Sequence, residues 1–246
     1  MKISVVTVCR NSEKTIGLTI RSFLDQTHPD KELWIIDGAS TDATAEIVRS
    51  FPSPEIHFLS EKDHGIYDAM NKGLDRFSGD AVGFLGSDDT FSSDRSLASI
   101  AEALNDADIV YGDLHMVEDH ISKRIVRIWT SGKFRQSAFA RGWMPAHPTF
   151  YVRRAVIDAV GRFDLGYDIG ADYDFVLRSM TMDRFRIRYI PKILVDFQLG
   201  GLSSKGLRSA LHQNIECLRS RRRHMGAPII DIAFFLKPAR KLLQFR

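Results

Sequence analysis

Residues 81–89 read AVGFLGSDD, an apolar run followed by two adjacent carboxylates, Asp88 and Asp89. Short runs without polar residues are typical of strands that a parallel sheet buries on both faces. We therefore predict a strand from Ala81 to Leu85. In open α/β sheets, ligands bind outside the carboxyl ends of the strands, so the two aspartates lie where a ligand site is expected.

The residues before this strand alternate apolar runs with amphipathic stretches, as βαβ units do. The same pattern continues after it, with a helix near Leu97 to Leu104 and a strand at Ile109 to Tyr111. The sequence thus predicts an α/β fold with a Rossmann-like, mostly parallel sheet and helices on both faces. The earlier elements are a strand from Ile3 to Val8, a helix from about Glu13 to Leu24, a strand from Leu33 to Ile36, a helix from about Ala43 to Phe51 and a strand from Ile56 to Leu59.

The second half of the chain is less regular. It contains a candidate strand from Arg124 to Trp129, an irregular stretch through Trp143 and His147, and a helix that begins near Asp172. No internal repeat or low-complexity linker separates it from the first half. We therefore expect it to fold against the first sheet.

The chain has 246 residues, of which 44% are hydrophobic and 26% charged, a composition typical of a globular protein with one sizeable core. Its two cysteines, Cys9 and Cys217, are far apart and form no CxxC pair, so we expect neither a disulfide framework nor a cysteine metal site. This fits a reducing cytoplasm. The initial MKISVVTV leads directly into a strand without signal-peptide features, so we expect no secretion.

Charge is unevenly distributed along the chain. Residues 201–246 hold ten Lys or Arg against Glu216 and Asp231, a balance of +8, which leaves −5 for residues 1–200 of a chain whose net charge is +3. This split indicates an acidic, metal-using body and a basic tail that meets an anionic surface.

The tail reads as helical from about Ser203 and contains an apolar run, Ile229 to Leu236, between basic residues. The run is far shorter than the ~20 residues of a spanning helix and contains Asp231, so it does not cross a membrane. Its basic flanks favour a helix lying in the interface of an anionic membrane, and the alternative is a terminal helix packed on the core. Without interleaved aromatics, the basic cluster predicts no nucleic-acid binding. That cluster comprises Arg219, Arg221, Arg222, Arg223, His224, Lys237, Arg240 and Lys241.

Polar segments follow four predicted strands, and three of them are acidic. No GxGxxG follows the first strand and no GxxxxGK[ST] occurs, so the glycine-built phosphate cradles of dinucleotide-binding and P-loop proteins are missing. Adjacent carboxylates instead offer hard oxygen ligands for Mg²⁺ or Mn²⁺, which can bridge to phosphate oxygens. We predict a site that binds a cation and a nucleotide together. The segments are Cys9-Arg10-Asn11, Asp37 to Asp42, Glu61-Lys62-Asp63 and Ser87-Asp88-Asp89.

Each of these residues also has a structural interpretation. Asp42 or Thr41 is suited to cap a helix, Asp37 to form a turn before Gly38, and the Asp88–Asp89 pair to form a solvated turn. The remaining alternatives are a solvated loop for Glu61 and Asp63, a helix cap for Asp172, a packing role for His147 and a buried aromatic role for Trp143 in place of sugar stacking.

An ordered series of motifs resembles the family-2 inverting glycosyltransferases with the GT-A fold, especially those of bacterial surface-polysaccharide (colanic-acid-type) assembly. The likeness covers roughly residues 1–200. In chain order the motifs are SVVTVCRN, IDGASTDAT, SEKDHGIYDAMNKG, FLGSDDTF, HPTFYVRR, GADYDF and FQLGGLSS.

The resemblance implies a role for particular residues. Asp37 matches the aspartate that hydrogen-bonds the nucleotide base, Asp88 the one near the ribose, and Asp89 the metal-binding aspartate. Asp172 matches the catalytic base, and His147 lies where such enzymes place a residue near the donor phosphates or the acceptor. The other positions expected to contact the nucleotide-sugar are Val8, Arg10, Ser40, Asp63 and Ser87.

Two positions depart from the family pattern. Arg10 replaces the aromatic residue that often stacks on the base, and its guanidinium plane can stack in its place. Ala171 replaces the acidic residue that often precedes the catalytic aspartate. Inverting transfer needs a carboxylate base, and the resemblance assigns it to Asp172; Asp174, two residues along a helix, points in a different direction, so we expect only one of the two to face the site.

We therefore expect a GT-A domain over residues 1–200 and a basic amphipathic helical tail over residues 201–246. Within the domain, residues 1–112 form the nucleotide-sugar-binding half and residues 113–200 the acceptor-binding half. The expected enzyme uses Mg²⁺ or Mn²⁺ to transfer a sugar from a nucleotide-sugar to a glycan or lipid-linked acceptor in cell-surface polysaccharide biosynthesis, and the expected donor is a UDP-sugar. We expect it in the cytoplasm, on the inner face of the membrane. The alternatives are a non-catalytic nucleotide-sugar-binding or scaffold protein and a nucleotidyltransferase.

Overall fold

The computed structural model describes residues 1–120, 122, 124–200 and 206–228. The apolar run from Ile229 to Leu236 and the end of the FQLGGLSS motif lie outside these residues, as do Lys237, Arg240 and Lys241. The described elements are β1 (Ile3–Cys9), α1 (Ile16–Leu24), β2 (Lys31–Asp37), α2 (Thr44–Arg49), β3 (Ile56–Ser60), α3 (Ile66–Leu74), β4 (Ala81–Phe84), β5 (Thr90–Phe91), α4 (Ser96–Leu104), β6 (Ile109–Val117), β7 (Ile125–Trp129), β8 (Tyr151–Arg153), α5 (Arg154–Val160), α6 (Ala171–Met180), β9 (Ile187–Gln198) and α7 (Gly206–Met225).

The strands form one sheet in the order β3-β2-β1-β4-β8-β6-β9-β5, with β7 paired to the end of β6. Strands β3, β2, β1 and β4 are parallel, and β6 and β9 are parallel to each other. Antiparallel pairing is confined to β5, β7 and β8. The predicted α/β fold with a mostly parallel sheet is confirmed.

Hydrophobic clusters cover the two faces of the sheet. Val5 of β1 packs with α1, α2 and α4 on one face, whereas the next residue, Val6, packs with α3, α5 and α6 on the other. Alternate residues of a strand point to opposite faces, so a strand covered by helices on both sides must be apolar throughout. The near-continuous apolar runs of the sequence have this physical cause.

Helix α3 occupies a segment that carries glycines at both ends. Gly73, in its last turn, lies against Val6 of β1, and a Cβ at this position would collide with the valine side chain. A glycine in a helix is unfavourable by itself, so the sequence pattern alone does not predict this helix. Close packing on the sheet explains both the helix and the glycine.

Strand β9 is twelve residues long, and its sequence does not read as a strand because it contains Pro191 and several charges. The proline falls where the register of the β6–β9 pairing shifts, between Tyr189 and Ile193. Beyond this bulge the strand continues in parallel with β6 to Gln198. Its end lies beside the acidic pair that follows β4.

Helix α7, the described part of the tail, packs on α6. Glu216 of α7 is buried and accepts hydrogen bonds from the backbone amides of Asp168, Ile169 and Gly170 at 2.7–2.9 Å. It thereby neutralises the amino terminus of α6. The packing alternative therefore holds for this part of the tail. Across the described ranges, no helix combines the length and the hydropathy that a membrane crossing requires.

Candidate active site

The carboxyl ends of β1, β2 and β3 lie side by side, with Cys9 opposite Asp37 and Asp37 opposite Ser60. We call this region, with the loops that follow β1 to β4, the donor edge. Its first two loops are joined by hydrogen bonds from Asn11 N to Ser40 Oγ (2.7 Å) and from Thr41 N to Asn11 Oδ1 (2.9 Å). The residues that follow β1 and β2 are therefore in direct contact at this edge of the sheet.

Asp37 is fully buried at the end of β2. Its carboxylate accepts hydrogen bonds from the amide and hydroxyl of Ser40 and from Ser60 Oγ at 2.6 Å. Burial and the charge of Asp37 raise the pKa of the neighbouring Cys9 thiol, which stays protonated. Asp37 therefore fixes the conformation of the loop that carries Ser40.

Asp63 reaches the same loop from β3. Gly38 has no side chain, and a Cβ there would collide with the Asp63 carboxylate and lie 3.6 Å from Arg10 Cβ. Arg10 and Asp63 therefore approach one patch of backbone beside Asp37. Glu61 instead forms an exposed ion pair with Lys72 (3.0 Å), as the solvated-loop interpretation predicts.

Asp88 and Asp89 both fold back over Gly86. A Cβ at Gly86 would lie 2.5 Å from Asp89 Oδ2 and 3.0 Å from Asp88 Oδ1, so only glycine leaves room for both carboxylates. The pair is not a solvated turn, because Asp89 is buried and Asp88 is half-buried. Ser87, just before them, lies 3.0 Å from Ser12 of the β1–α1 loop, Oγ to Oγ.

The electrostatics of this pair are unusual. Burial raises the pKa of Asp89 well above its ordinary value, and the charge of Asp88 adds to the effect. Asp89 Oδ1 accepts one hydrogen bond, from Gln198 N at 3.1 Å. Among the described residues, neither aspartate forms an ion pair with Lys, Arg or His. His120, whose Nε2 lies 2.7 Å from the carbonyl of Asp88, is the one described residue whose positive charge acts on Asp88. A buried and a half-buried carboxylate side by side, without an ion pair, suit a hard divalent cation.

Asp172 lies in the first turn of α6 and is half-buried. Gly170 is at the cap position, but Asp172 Oδ1 accepts a hydrogen bond from Tyr173 N at 2.8 Å, so the carboxylate also binds one free amide of the first turn. Tyr67 Oη lies 3.5 Å from Asp172 Oδ1 and donates to the carbonyl of Ile169 at 2.5 Å. The carboxylate of Asp172 is thus held at the surface of the site without an ion pair among the described residues.

Asp174 is engaged elsewhere. It is buried, forms an ion pair with Arg178 (2.7 Å), and accepts hydrogen bonds from Ser220 Oγ and His224 Nε2 of α7. It therefore joins α6 to α7, which separates its role from that of Asp172.

His147 packs on β4 and lies near enough to Asp172 to feel its charge. Its ring stacks on Phe84, the last residue of β4, with centroids 5.8 Å apart. Burial lowers the pKa of His147, although the charge of Asp172 opposes this shift. Its Nε2 atom is buried without a hydrogen-bond partner in the described structure. An unsatisfied buried polar atom at this position is suited to contact a ligand.

A second group of potential ligands lies at the α6–α7 junction. Asp168, His212 and Glu216 place one ligand atom each within 4.8 Å of the others. Both oxygens of Glu216 already accept backbone hydrogen bonds, and Asp168 is 78% exposed. This group therefore resembles a helix cap more than a metal centre.

The predicted residues thus divide into groups. The first group lies at the ends of β1 to β3 and comprises Val8, Arg10, Asp37, Ser40 and Asp63. The second group, Ser87 to Asp89, follows β4. His147 stacks on Phe84 of β4, and the charge of Asp172 acts on its ring. Sequence reasoning missed the contributions of Tyr67 and Gln198. Both belong to elements, α3 and β9, that the hydrophobic pattern did not reveal.

Comparison with known proteins identifies the family and the fold. The Glycosyl transferase family 2 profile matches residues 4–160. A PGL/p-HBAD biosynthesis glycosyltransferase from Mycobacterium bovis is 29% identical over 208 residues, which cover 82% of this chain and 78% of the relative.

Two solved structures share the fold. One is S. aureus TarS in complex with UDP-GlcNAc, with a TM-score of 0.68, 19% identity, and coverage of 95% of this chain and 69% of that chain. The other is the mannosyltransferase PcManGT from Pyrobaculum calidifontis in complex with GDP-Man and Mn²⁺, with a TM-score of 0.65, 18% identity, and coverage of 98% and 69%. With the family profile matching more than half of its length, the chain belongs to glycosyl transferase family 2 and is a glycosyltransferase.

Proposed function

We propose that this enzyme transfers a sugar, with inversion, from a nucleotide-diphosphate sugar to a glycan or lipid-linked acceptor in cell-surface polysaccharide biosynthesis. The observation that carries the proposal is the pair of carboxylates, Asp88 and Asp89, folded over Gly86 after β4 without an ion pair among the described residues. The relatives support it, because TarS binds UDP-GlcNAc and PcManGT binds GDP-Man with Mn²⁺. A UDP-sugar is the first donor to test.

In the reaction, the acceptor hydroxyl oxygen forms a bond to the anomeric carbon as the bond to the diphosphate breaks. The leaving oxygen keeps the bonding electron pair, and the Asp172 carboxylate takes the hydroxyl proton. A general base must reach that proton by a hydrogen bond. Asp172 is suited to this role because it is half-buried and carries no ion pair in the described structure, whereas Asp174 is already paired with Arg178.

On the donor side, we assign Asp37 to the base and Asp88 to the ribose. Asp37 sets the Ser40 loop that faces the nucleotide, and Arg10 stacks on the base while Asp63 lies next to it. Val8 and Ser87 contribute the ends of β1 and β4. These assignments rest on the shared position of the residues at the donor edge.

Asp89, with Asp88 beside it, would hold Mg²⁺ or Mn²⁺. Such an ion supplies Lewis-acid stabilisation of the charge on the leaving diphosphate. The buried, mutually repelling carboxylates over Gly86 fit a cation of this kind. His147 Nε2, which is buried and unsatisfied, is placed to contact the donor phosphates or the acceptor.

We also propose that the enzyme works at the inner face of the cell membrane. Helix α7 exposes Leu211 and Ile215, which are four residues apart and therefore share a face. Arg208 and Arg222 are exposed on the same helix and suit an anionic lipid surface. Vesicles containing anionic lipid should bind the wild type several-fold better than L211S/I215S in a flotation assay, and equal binding would contradict this role of α7.

A donor screen tests the catalytic proposal. The protein is incubated with UDP-, GDP- and dTDP-sugars in Mn²⁺ or Mg²⁺, and release of nucleoside diphosphate is measured. For the donor that is turned over, D172N should lower kcat by about 10²–10⁴-fold because it removes the base, with little change in donor KM. Asp106, which is 79% exposed on the loop before β6, supplies the matched control D106N with full activity.

Full activity of D172N would sink the assignment of the base. Absence of turnover with every donor, together with metal-dependent nucleotide binding, would instead favour the non-catalytic binding protein. Formation of a nucleotide-sugar from a nucleoside triphosphate would point to a nucleotidyltransferase.

A further inference from the structure

A second concave surface lies in the segment between β7 and β8. It encloses a volume of about 200 Å³. We call it the basic cleft, and its walls include Lys133, Arg135, Arg141, Ser131, Ser137 and Trp143. None of these residues has a role in the chemistry described above.

The cleft is positively charged. Lys133, Arg135 and Arg141 are all exposed, and within the described ranges none of them forms an ion pair with a carboxylate. Elsewhere in the fold, Arg178 is paired with the buried Asp174 at 2.7 Å. Three unpaired cations around one concavity produce a positive potential that attracts anions.

The wall of the cleft is rigid. Trp143 Nε1 donates to the carbonyl of Ser131 at 2.7 Å, and the indole packs edge-on against Tyr111 and Phe139. Ser131 N donates to Asp113 Oδ1 at 2.7 Å, which anchors this wall to β6. A preorganised wall reduces the entropy lost when a ligand binds.

The cleft adjoins the catalytic residues. Ser131 Oγ accepts a hydrogen bond from Ala146 N at 3.2 Å, and the next residue is His147. Gly142 adopts φ = 73°, a left-handed conformation suited to glycine, between Arg141 and Trp143. One short segment therefore connects the cationic wall to the histidine that faces the reaction.

We propose that the basic cleft binds a phosphate ester group of the acceptor. This inference rests on the proposed function and names a chemical feature of its second substrate. Arginine guanidinium groups recognise phosphate through paired hydrogen bonds, and lysine adds a point charge. Trp143 offers an apolar surface for the carbon atoms next to the phosphate. The donor diphosphate belongs at Asp89.

Binding is measured by isothermal titration calorimetry in EDTA at low salt, which removes any contribution from a cation at Asp89. The probes are symmetric dihexyl diphosphate, a diphosphate diester like the junction between a lipid carrier and its glycan, and diethyl phosphate, a monophosphate diester like a polymer backbone. R135Q/R141Q should bind the preferred ester about tenfold more weakly than the wild type, because each arginine supplies charge-assisted hydrogen bonds. Preference for the diphosphate identifies a lipid-linked acceptor, and preference for the monophosphate diester identifies a polymer.

The matched control is R95Q/K192Q, which removes two exposed positive charges elsewhere. It should bind like the wild type, so an equal loss in the control would show nonspecific charge attraction and overturn the proposal. Failure of both esters to bind the wild type would also overturn it. A tenfold loss of UDP affinity in R135Q/R141Q with Mn²⁺ would assign the cleft to the donor and contradict the acceptor role.

These titrations need no turnover. If the donor screen finds a substrate but neither ester binds, the further inference is wrong and the proposed function stands. If an ester binds but no donor is turned over, the anion site remains and the catalytic proposal fails.

Discussion

The two ends of the central sheet bury carboxylates equally but surround them differently. At the amino ends, Glu32 of β2 is 2% exposed, and at the carboxyl ends Asp89 is also 2% exposed. Glu32 pairs with Lys2 Nζ at 2.6 Å and accepts hydrogen bonds from Ser4 and Ser78. Asp89 has a like charge beside it and no cationic partner among the described residues.

Their pKa values move in opposite directions as a result. Burial raises the pKa of Glu32, but the hydrogen bonds from Lys2, Ser4 and Ser78 outweigh burial and bring it to about 2. Burial and the charge of Asp88 both raise the pKa of Asp89. Low exposure alone therefore does not distinguish a structural carboxylate from a candidate ligand-binding one. The hydrogen-bond donors and charges around the carboxylate make that distinction.

The largest difference between D89N and E32Q should be in catalytic activity. D89N is expected to lower kcat/KM by about 10³-fold or more, because the site loses its main cation ligand. E32Q should keep kcat/KM within about twofold at a temperature where it is folded. Both are measured with the donor found in the screen, and a large loss in E32Q with a native circular dichroism spectrum would break the comparison.

The free energy of unfolding should respond in the opposite way, with a loss in E32Q and none in D89N. E32Q is expected to lower the free energy of unfolding by roughly 2–3 kcal/mol, since it leaves the buried donors around position 32 without a charged acceptor. D89N relieves repulsion with Asp88 and should leave stability unchanged or higher. Urea denaturation of both variants measures this, with D106N as the control. A stability loss in D89N as large as that in E32Q would show that Asp89 is structural.

A divalent cation should stabilise the protein only when Asp89, at the carboxyl end of the sheet, is intact. At ten times its Kd, Mn²⁺ should add about 1.4 kcal/mol, or roughly 3–5 °C in the melting temperature of the wild type and E32Q. D89N should gain little. Calorimetry with and without EDTA checks this, and an equal shift in D89N would place the cation elsewhere, with Asp168, His212 and Glu216 as the next candidates.

The pH dependence of the free energy of unfolding should have opposite signs for the two carboxylates. The pKa of Glu32, lowered from 4.5 to about 2, means that the unfolded chain takes up this proton first. Its contribution is complete above pH 4.5 and is lost as the pH falls toward 2. The pKa of Asp89 is raised, so its contribution without metal is complete below its ordinary value of 3.8 and is lost as the pH rises.

Unfolding curves in EDTA from pH 3 to 8 separate these effects. The stability difference between the wild type and E32Q should shrink below pH 4.5. The advantage of D89N over the wild type should grow as the pH rises from about 4. Parallel curves for D89N and the wild type would show that Asp89 does not titrate above its ordinary range.

The sequence predicted those elements whose local hydrophobic pattern agrees with their place in the fold. Buried parallel strands need apolar runs, so Ala81 to Phe84 and its neighbours were visible, and the polar residues after them had to meet at one edge. It did not find α3 or β9, because Gly73 and Pro191 oppose the local propensities and tertiary contacts override them. Tyr67 and Gln198 were missed for that reason.

The sequence by itself determined the α/β class and the placing of Asp37, Asp88 and Asp89 just after buried strands, because strand periodicity is a local property; the resemblance to family motifs added Asp172 as the proposed base. Only the tertiary structure decided which carboxylates have partners. It paired Asp174 with Arg178 and Glu32 with Lys2, and it left Asp89 beside Asp88 and Asp172 without an ion pair among the described residues. Partners come from residues distant in the chain, and a carboxylate's pKa depends on that three-dimensional neighbourhood.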